Sequence, residues 1–234
     1  MGRFVFGIAA LALGIASLLL HDQLISEWQL PGSAAFIVVT SVAQMIGGTA
    51  MLFRRTDRMG ALILGIAYLV ATLTLVPDIV AQPLVYASWG NVFYGLALVA
   101  GAGAACGWRG AATLMGLCSI SFAIEQVEFL ARTVSLVPAW VPPGAMFWAI
   151  ATAIAFGLAG LALVIGYRTL LASRLLGLML VLFGVAVWIP ILIADPKTHS
   201  NWSEGIETFA IGGAAWLVSD LLVRRRRSRR RRGE

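Results

Sequence analysis

Charge is scarce in this 234-residue chain: 12% of its residues are Asp, Glu, Lys or Arg, 60% are hydrophobic, and the mean hydropathy is +0.90. A soluble helical protein keeps a polar face on its helices, whereas most apolar stretches here are apolar all round. A soluble core is therefore excluded, and the fold class is all-α, a polytopic integral membrane protein. Histidine occurs only as His21 and His199, both in connections between apolar runs, which removes haem held by paired intramembrane histidines. The two cysteines, Cys106 and Cys118, form no C-x-x-C pair, so a thiol relay lacks its main signature and both are read as small packing residues. No nucleotide loop, H-E-x-x-H, G-x-S-x-G or metal-binding pattern occurs, and no connection is long enough for a soluble catalytic domain. Any site must lie inside the helix bundle or at its rims.

Eight apolar runs are long enough to cross a hydrocarbon core of about 30 Å: 4–20, 34–53, 59–76, 92–108, 111–130, 145–165, 175–193 and 206–223. The first ends in Leu-Leu-Leu-His-Asp without a small-x-small cleavage pattern, so it is read as a membrane helix rather than a leader. All basic residues except Arg132 and Lys197 fall on alternate connections and on the tail. By the positive-inside rule both termini are expected in the cytoplasm, with the chain in the cytoplasmic (inner) membrane. The arginines from Arg224 to Arg232 raise the net charge to +6. Arg224, Arg225, Arg226, Arg227, Arg229, Arg230, Arg231 and Arg232 are expected to lie on anionic lipid. Nucleic-acid binding is disfavoured, because the tail has no interleaved aromatics and is tethered to a membrane.

One stretch occurs twice. Pro77, Ala81, Pro83, Trp89, Ala97 and Ala102 recur at a constant offset as Pro190, Ala194, Pro196, Trp202, Ala210 and Ala215. The chain is therefore read as two like-oriented four-helix units, 1–109 and 110–223, with a tail over 224–234. Pro77 and Pro190 should stop or kink their helices near the outer ends. Ser88 and Asn201 stand at matching positions suited to N-caps, and Asn201 with Glu204 has capping-box spacing. The connection before residue 34 carries Asp22, Glu27, Trp28 and Pro31. Its tryptophan, like the others in these loops, suits an interfacial anchor. Glycines such as Gly101, Gly103 and Gly107 imply close helix packing, within the bundle or between subunits of a homo-oligomer.

The segment Pro190-x5-Pro196-x5-Trp202, followed by Glu204, Glu207 and the small run Gly212, Gly213, Ala214, resembles the last loop and helix of the DoxX-like family of small four-helix membrane proteins. The segment from Pro77 to Gly103 looks like the same element. In that family the helix tends to carry an acid a few positions after the tryptophan, and Glu207 fits, whereas the first copy has Tyr94 there. The resemblance implies a duplicated four-helix unit and an association with respiratory or sulfur-linked redox complexes. It also implies a quinone as the conceivable cofactor.

Two functional classes stay open: a redox-associated, quinone-proximal subunit, which the resemblance alone implies, or a small-molecule or proton-coupled carrier, which the tandem repeat and the few acids near the membrane favour, beside an assembly protein with no site. Glu125, Glu128 and Glu207 are the candidate ligand or proton sites, with Arg132, Tyr94, His199 and Trp202 as secondary candidates. Glu125 should lie just inside the outer edge of the hydrocarbon, Glu128 one turn higher on the same face, and Arg132 four residues further on. In an up-and-down unit the first and last helices are neighbours, so the fifth and eighth helices should present Glu125 and Glu207 to each other. In the competing reading Arg132 neutralises Glu128 and the other acids meet water.

Overall fold

The computed structural model describes residues 1–28 and 33–233, so Pro31 lies outside the described residues. Among the described residues twelve α-helices follow one another: α1 (Gly2–Leu19), α2 (His21–Trp28), α3 (Ser33–Leu52), α4 (Asp57–Leu73), α5 (Val76–Ala81), α6 (Tyr86–Cys106), α7 (Ala111–Glu128), α8 (Leu130–Leu136), α9 (Ala145–Ile165), α10 (Thr169–Phe183), α11 (Ile189–Ala194) and α12 (His199–Arg232). A π-helical turn, Gly184–Trp188, joins α10 to α11, and the described residues contain no strand. The protein is an all-α, multi-pass membrane protein. Among the described residues seven helices are long and apolar enough to cross a membrane, or eight if α7 and α8, bent by 93° to each other, count as one broken span.

Several helices depart from the expected boundaries. The breaks expected at the prolines are present, since α4 ends at Leu73 and α10 at Phe183, and Pro77 and Pro190 stand in the first turns of the short helices α5 and α11, where the missing N–H leaves no intrahelical bond unmade. Residues 57–81 and 169–194 still each form a single candidate span. In the second of these the π turn directly precedes Pro190, and its Gly184 leaves room for the Phe209 ring of α12. Ser88 and Asn201 do not cap, because α6 begins at Tyr86 and α12 at His199, which places both residues inside the first turn. Helix α12 also runs unbroken past Val223 into the arginines. Its 34 residues make a rod of about 51 Å at a rise of about 1.5 Å per residue.

Small residues set the packing. A β-carbon on Gly7 would meet the Gly48 carbonyl at 2.8 Å, and one on Gly14 would meet the Ser41 carbonyl at 2.6 Å, so α1 and α3 lie backbone to backbone and antiparallel. Gly60 against Gly47 and Gly116 against Gly160 bring α4 onto α3 and α7 onto α9 in the same way.

The order of neighbours corrects the expected four-helix closure. Helix α1 packs along α12, with Gly2 against Leu217 and Phe6 against Gly213, while α7 packs along α6 and touches α12 only marginally. Two five-membered rings result, α1–α3–α4–α6–α12 and α6–α7–α9–α10–α12, which share the central pair α6 and α12. The shared pair crosses where Gly101 meets Ala214, whose Cα would stand 2.8 Å from a β-carbon at Gly101.

Candidate functional site

The ends of the bundle differ chemically. At one end Arg3 faces Asp57 at 3.9 Å, and Arg225 donates to the Gly107 carbonyl at 3.2 Å, joining the chain starts and turns that carry most of the arginines. At the other end lie the proline and tryptophan connections. There Trp89 Nε1 donates to the Pro83 carbonyl at 3.0 Å and Trp202 Nε1 to the Pro196 carbonyl at 2.8 Å. Trp148 Nε1 does the same to the Pro142 carbonyl at 2.9 Å. Each is a Pro-x5-Trp clasp that folds the loop onto the first turn of the helix it enters. The copy at Pro142 was readable from spacing alone, but it breaks the offset that relates the other two and so escaped the repeat.

Glu125 lies beneath this end, on α7. Its carboxyl carbon would stand 3.5 Å from a β-carbon at Gly90, so the acid lies over this glycine of α6 at ordinary contact distance. Tyr86 and Tyr94 flank Gly90 at i−4 and i+4 on the same face of α6. The Tyr86 hydroxyl is occupied at 2.6 Å from both the Ser121 carbonyl and the Ser121 hydroxyl. The Tyr94 hydroxyl is within hydrogen-bonding reach of Glu125. Below them an aromatic line crosses the second ring: Tyr94 stacks on Phe122 at 5.0 Å, Phe122 meets Phe156 edge-on at 5.7 Å, and Phe156 meets Phe183 at 6.3 Å.

The 93° bend between α7 and α8 decides where Arg132 goes. A straight helix would have kept it beside Glu128. Instead one guanidinium nitrogen donates to both Glu204 oxygens, at 2.8 and 2.9 Å. Arg132 thus bridges the second ring from α8 to α12 and stays within electrostatic range of Glu125. Glu128 is left exposed. Glu204, assigned by its spacing to a capping box, is instead the partner of that cation, and no local sequence signal marks it.

Glu207 is one turn deeper than Glu204 on α12 and partly buried. It does not pair with Glu125, because α7 and α12 meet only marginally. The charge that bears on it is Glu204. His199 is not in a loop: it opens α12, is 5% exposed, and its backbone N–H donates to Gln23 Oε1 at 2.9 Å. Gln23 Nε2 donates in turn to the Lys197 carbonyl at 2.9 Å, so the connection after α1 is tied to the one before α12.

A wholly apolar groove of about 340 Å³ runs along the α1–α12 seam, with Trp202, Pro196 and Ile206 on one wall and Ile15, Ala16 and Leu19 on the other. It lies away from Glu125. Among the described residues no group of three or more His, Cys, Asp or Glu could hold a metal ion. No protein-family model matches the chain, and neither a curated protein nor a solved structure does.

Proposed function

We propose that this chain is a DoxX-like protein of the cytoplasmic membrane, built from two like-oriented halves with both termini in the cytoplasm. In this reading it holds the polar head of a quinone-type ligand near the outer surface, beside a redox complex. The arginines gathered at one end support the orientation. The contact of Gly101 with Ala214 supports the duplication, since these residues differ by the offset that relates Pro77 to Pro190, and equivalent positions touch where a two-fold axis passes.

The functional reading is carried by one observation: Glu125 rests on Gly90 between two tyrosines, under the Arg132–Glu204 bridge. An acid inside a membrane is costly and normally faces a partner or a cavity. Glu125 supplies an acceptor and Tyr94 a donor, the pair that a hydroxyl or carbonyl on an aromatic ring requires, and the buried Phe122 and Phe156, packed on each other, lie below them. A bound quinone would supply two-electron redox chemistry, while these residues would orient its ring and exchange a proton at the Glu125 carboxylate. Binding of a short-tailed quinone to the purified protein in lipid nanodiscs tests this. Glu125→Gln and Tyr94→Phe should each weaken it at least tenfold, and equal binding by the wild type and both variants would overturn the reading.

The carrier reading is favoured by a different observation, that the two rings share one central pair of helices and could move against each other about it. Ligand-dependent uptake into vesicles, absent in Glu125→Gln, would identify it.

A further inference from the structure

The first ring contains polar atoms that the Glu125 site does not use. Tyr68 on α4 is 3% exposed, and its hydroxyl has no hydrogen-bond partner among the described residues. Gln44 on α3 lies on the buried stripe of Ile37, Ser41, Gly48 and Met51, and its Oε1 is likewise buried without a partner. Glu207 on α12 lies on the stripe that meets α6, seven residues before Ala214, within electrostatic range of the Tyr68 hydroxyl. No hydrogen bond or ion pair reaches it from the described residues. Each such group is costly in an apolar interior, and three of them turned toward one ring share a simple remedy in bound water.

The rings are also reciprocal. Tyr94 on α6 and Glu207 on α12 occupy equivalent positions under the repeat. Tyr94 leans on Glu125 in the second ring, and Glu207 faces Tyr68 in the first. Each ring thus holds a glutamate facing a tyrosine, with the central helix contributing the tyrosine in one and the acid in the other.

We propose that Glu207, Tyr68 and Gln44 form a water-holding site inside the first ring, at which Glu207 binds and releases a proton. This site is separate from Glu125 and does not depend on the quinone reading. Protonation forms one O–H bond on the carboxylate, and the proton comes from water at the tryptophan end by way of Glu204, one turn nearer that surface. The bound water bridges the Tyr68 donor and the Gln44 acceptor to the carboxyl group. The titratable groups facing Glu207 are Tyr68 from α4, Tyr94 from α6 and Glu204 on its own helix, with Arg132 held on Glu204. From α1 and α10 the facing residues are apolar or glycine.

Infrared difference spectra between mildly acidic and alkaline pH, recorded on the full chain in lipid nanodiscs, test the proposal. One carboxylic C=O band should vanish in Glu207→Gln, move rather than vanish in Glu207→Asp, shift in Tyr68→Phe and in Gln44→Leu, and persist in Glu125→Gln. A water O–H band that shifts in oxygen-18 water should disappear with it in Glu207→Gln. A Glu207 band indifferent to both Tyr68→Phe and Gln44→Leu, or the absence of any Glu207-dependent band in variants that unfold at the wild-type temperature, would overturn it.

Discussion

Gly101 and Ala214 touch at the crossing of α6 and α12, and no side chain can be added at Gly101 without separating the helices that both rings share. Gly101→Leu should therefore destabilise the whole bundle. Overpacking of this kind costs about 1–3 kcal/mol. Denaturation in mixed micelles should show the loss, and Gly157→Ala, whose nearest neighbour would stand at an ordinary 3.7 Å, should be close to neutral.

Arg132 and Glu204 form an exposed bridge, with side chains 64% and 38% accessible. Such pairs are worth about 0.2–1 kcal/mol, so a double-mutant cycle of Arg132→Ala and Glu204→Ala should return a coupling in that range. The same cycle with Glu128→Ala should return none.

Asp195 accepts from the Thr198 hydroxyl at 2.6 Å, from the Lys197 backbone N–H at 3.3 Å and from the Asn201 amide at 3.2 Å. The Thr198 bond, then the Lys197 and Asn201 bonds, hold its carboxyl below the usual carboxylate range. A depressed folded-state pKa contributes stability above the unfolded carboxylate pKa of about 3.9, and that contribution is lost as pH falls through the folded value. Wild type should therefore exceed Asp195→Asn in stability at neutral pH, with the gap closing below about pH 4. A gap that widens toward acid would reverse the sign.

The three tryptophan clasps should behave alike. Replacing Trp89, Trp148 or Trp202 with Phe removes one N–H donor and keeps an aromatic ring, at a cost of about 1 kcal/mol each. Hydrogen exchange in the first turn of α6, α9 or α12 should rise only in the variant that enters that helix.

Deleting residues 224–234 should shorten α12 without unfolding the bundle. Each arginine near an anionic surface contributes about 1 kcal/mol, so affinity for anionic vesicles should fall while neutral vesicles show no change.

Much of this fold was legible because a membrane imposes long apolar runs: seven of the eight runs fall on the candidate spans, and the run 111–130 falls on the bent pair α7 and α8. Local chemistry was legible too where it repeats, as at Pro83 with Trp89 and Pro196 with Trp202. What stayed hidden were relations between distant residues. Nothing near Glu204 says that α8 turns back and delivers Arg132 to it, because the bend at Phe129 carries neither proline nor glycine. The closure of α1 on α12 was equally hidden, since small residues such as Gly2 and Gly213 permit close approach without naming a partner. The Tyr86, Gly90, Tyr94 stripe on α6 was visible as an i, i+4, i+8 pattern, and only Tyr94 drew notice because it stands where the second copy has an acid.

The bend after Glu128 also has a consequence for the surrounding lipid. Helix α7 has 18 residues and its neighbours α6 and α9 have 21 each, a shortfall of about 4–5 Å in length. Leu117, Ile124 and Val127 are exposed along it, so acyl chains rather than protein must cover that side. The apolar wall is shorter there than beside α6 and α9, and the hydrophobic mismatch should draw the adjacent leaflet inward beside α8. The Glu125 site would then lie under a thinned part of the bilayer.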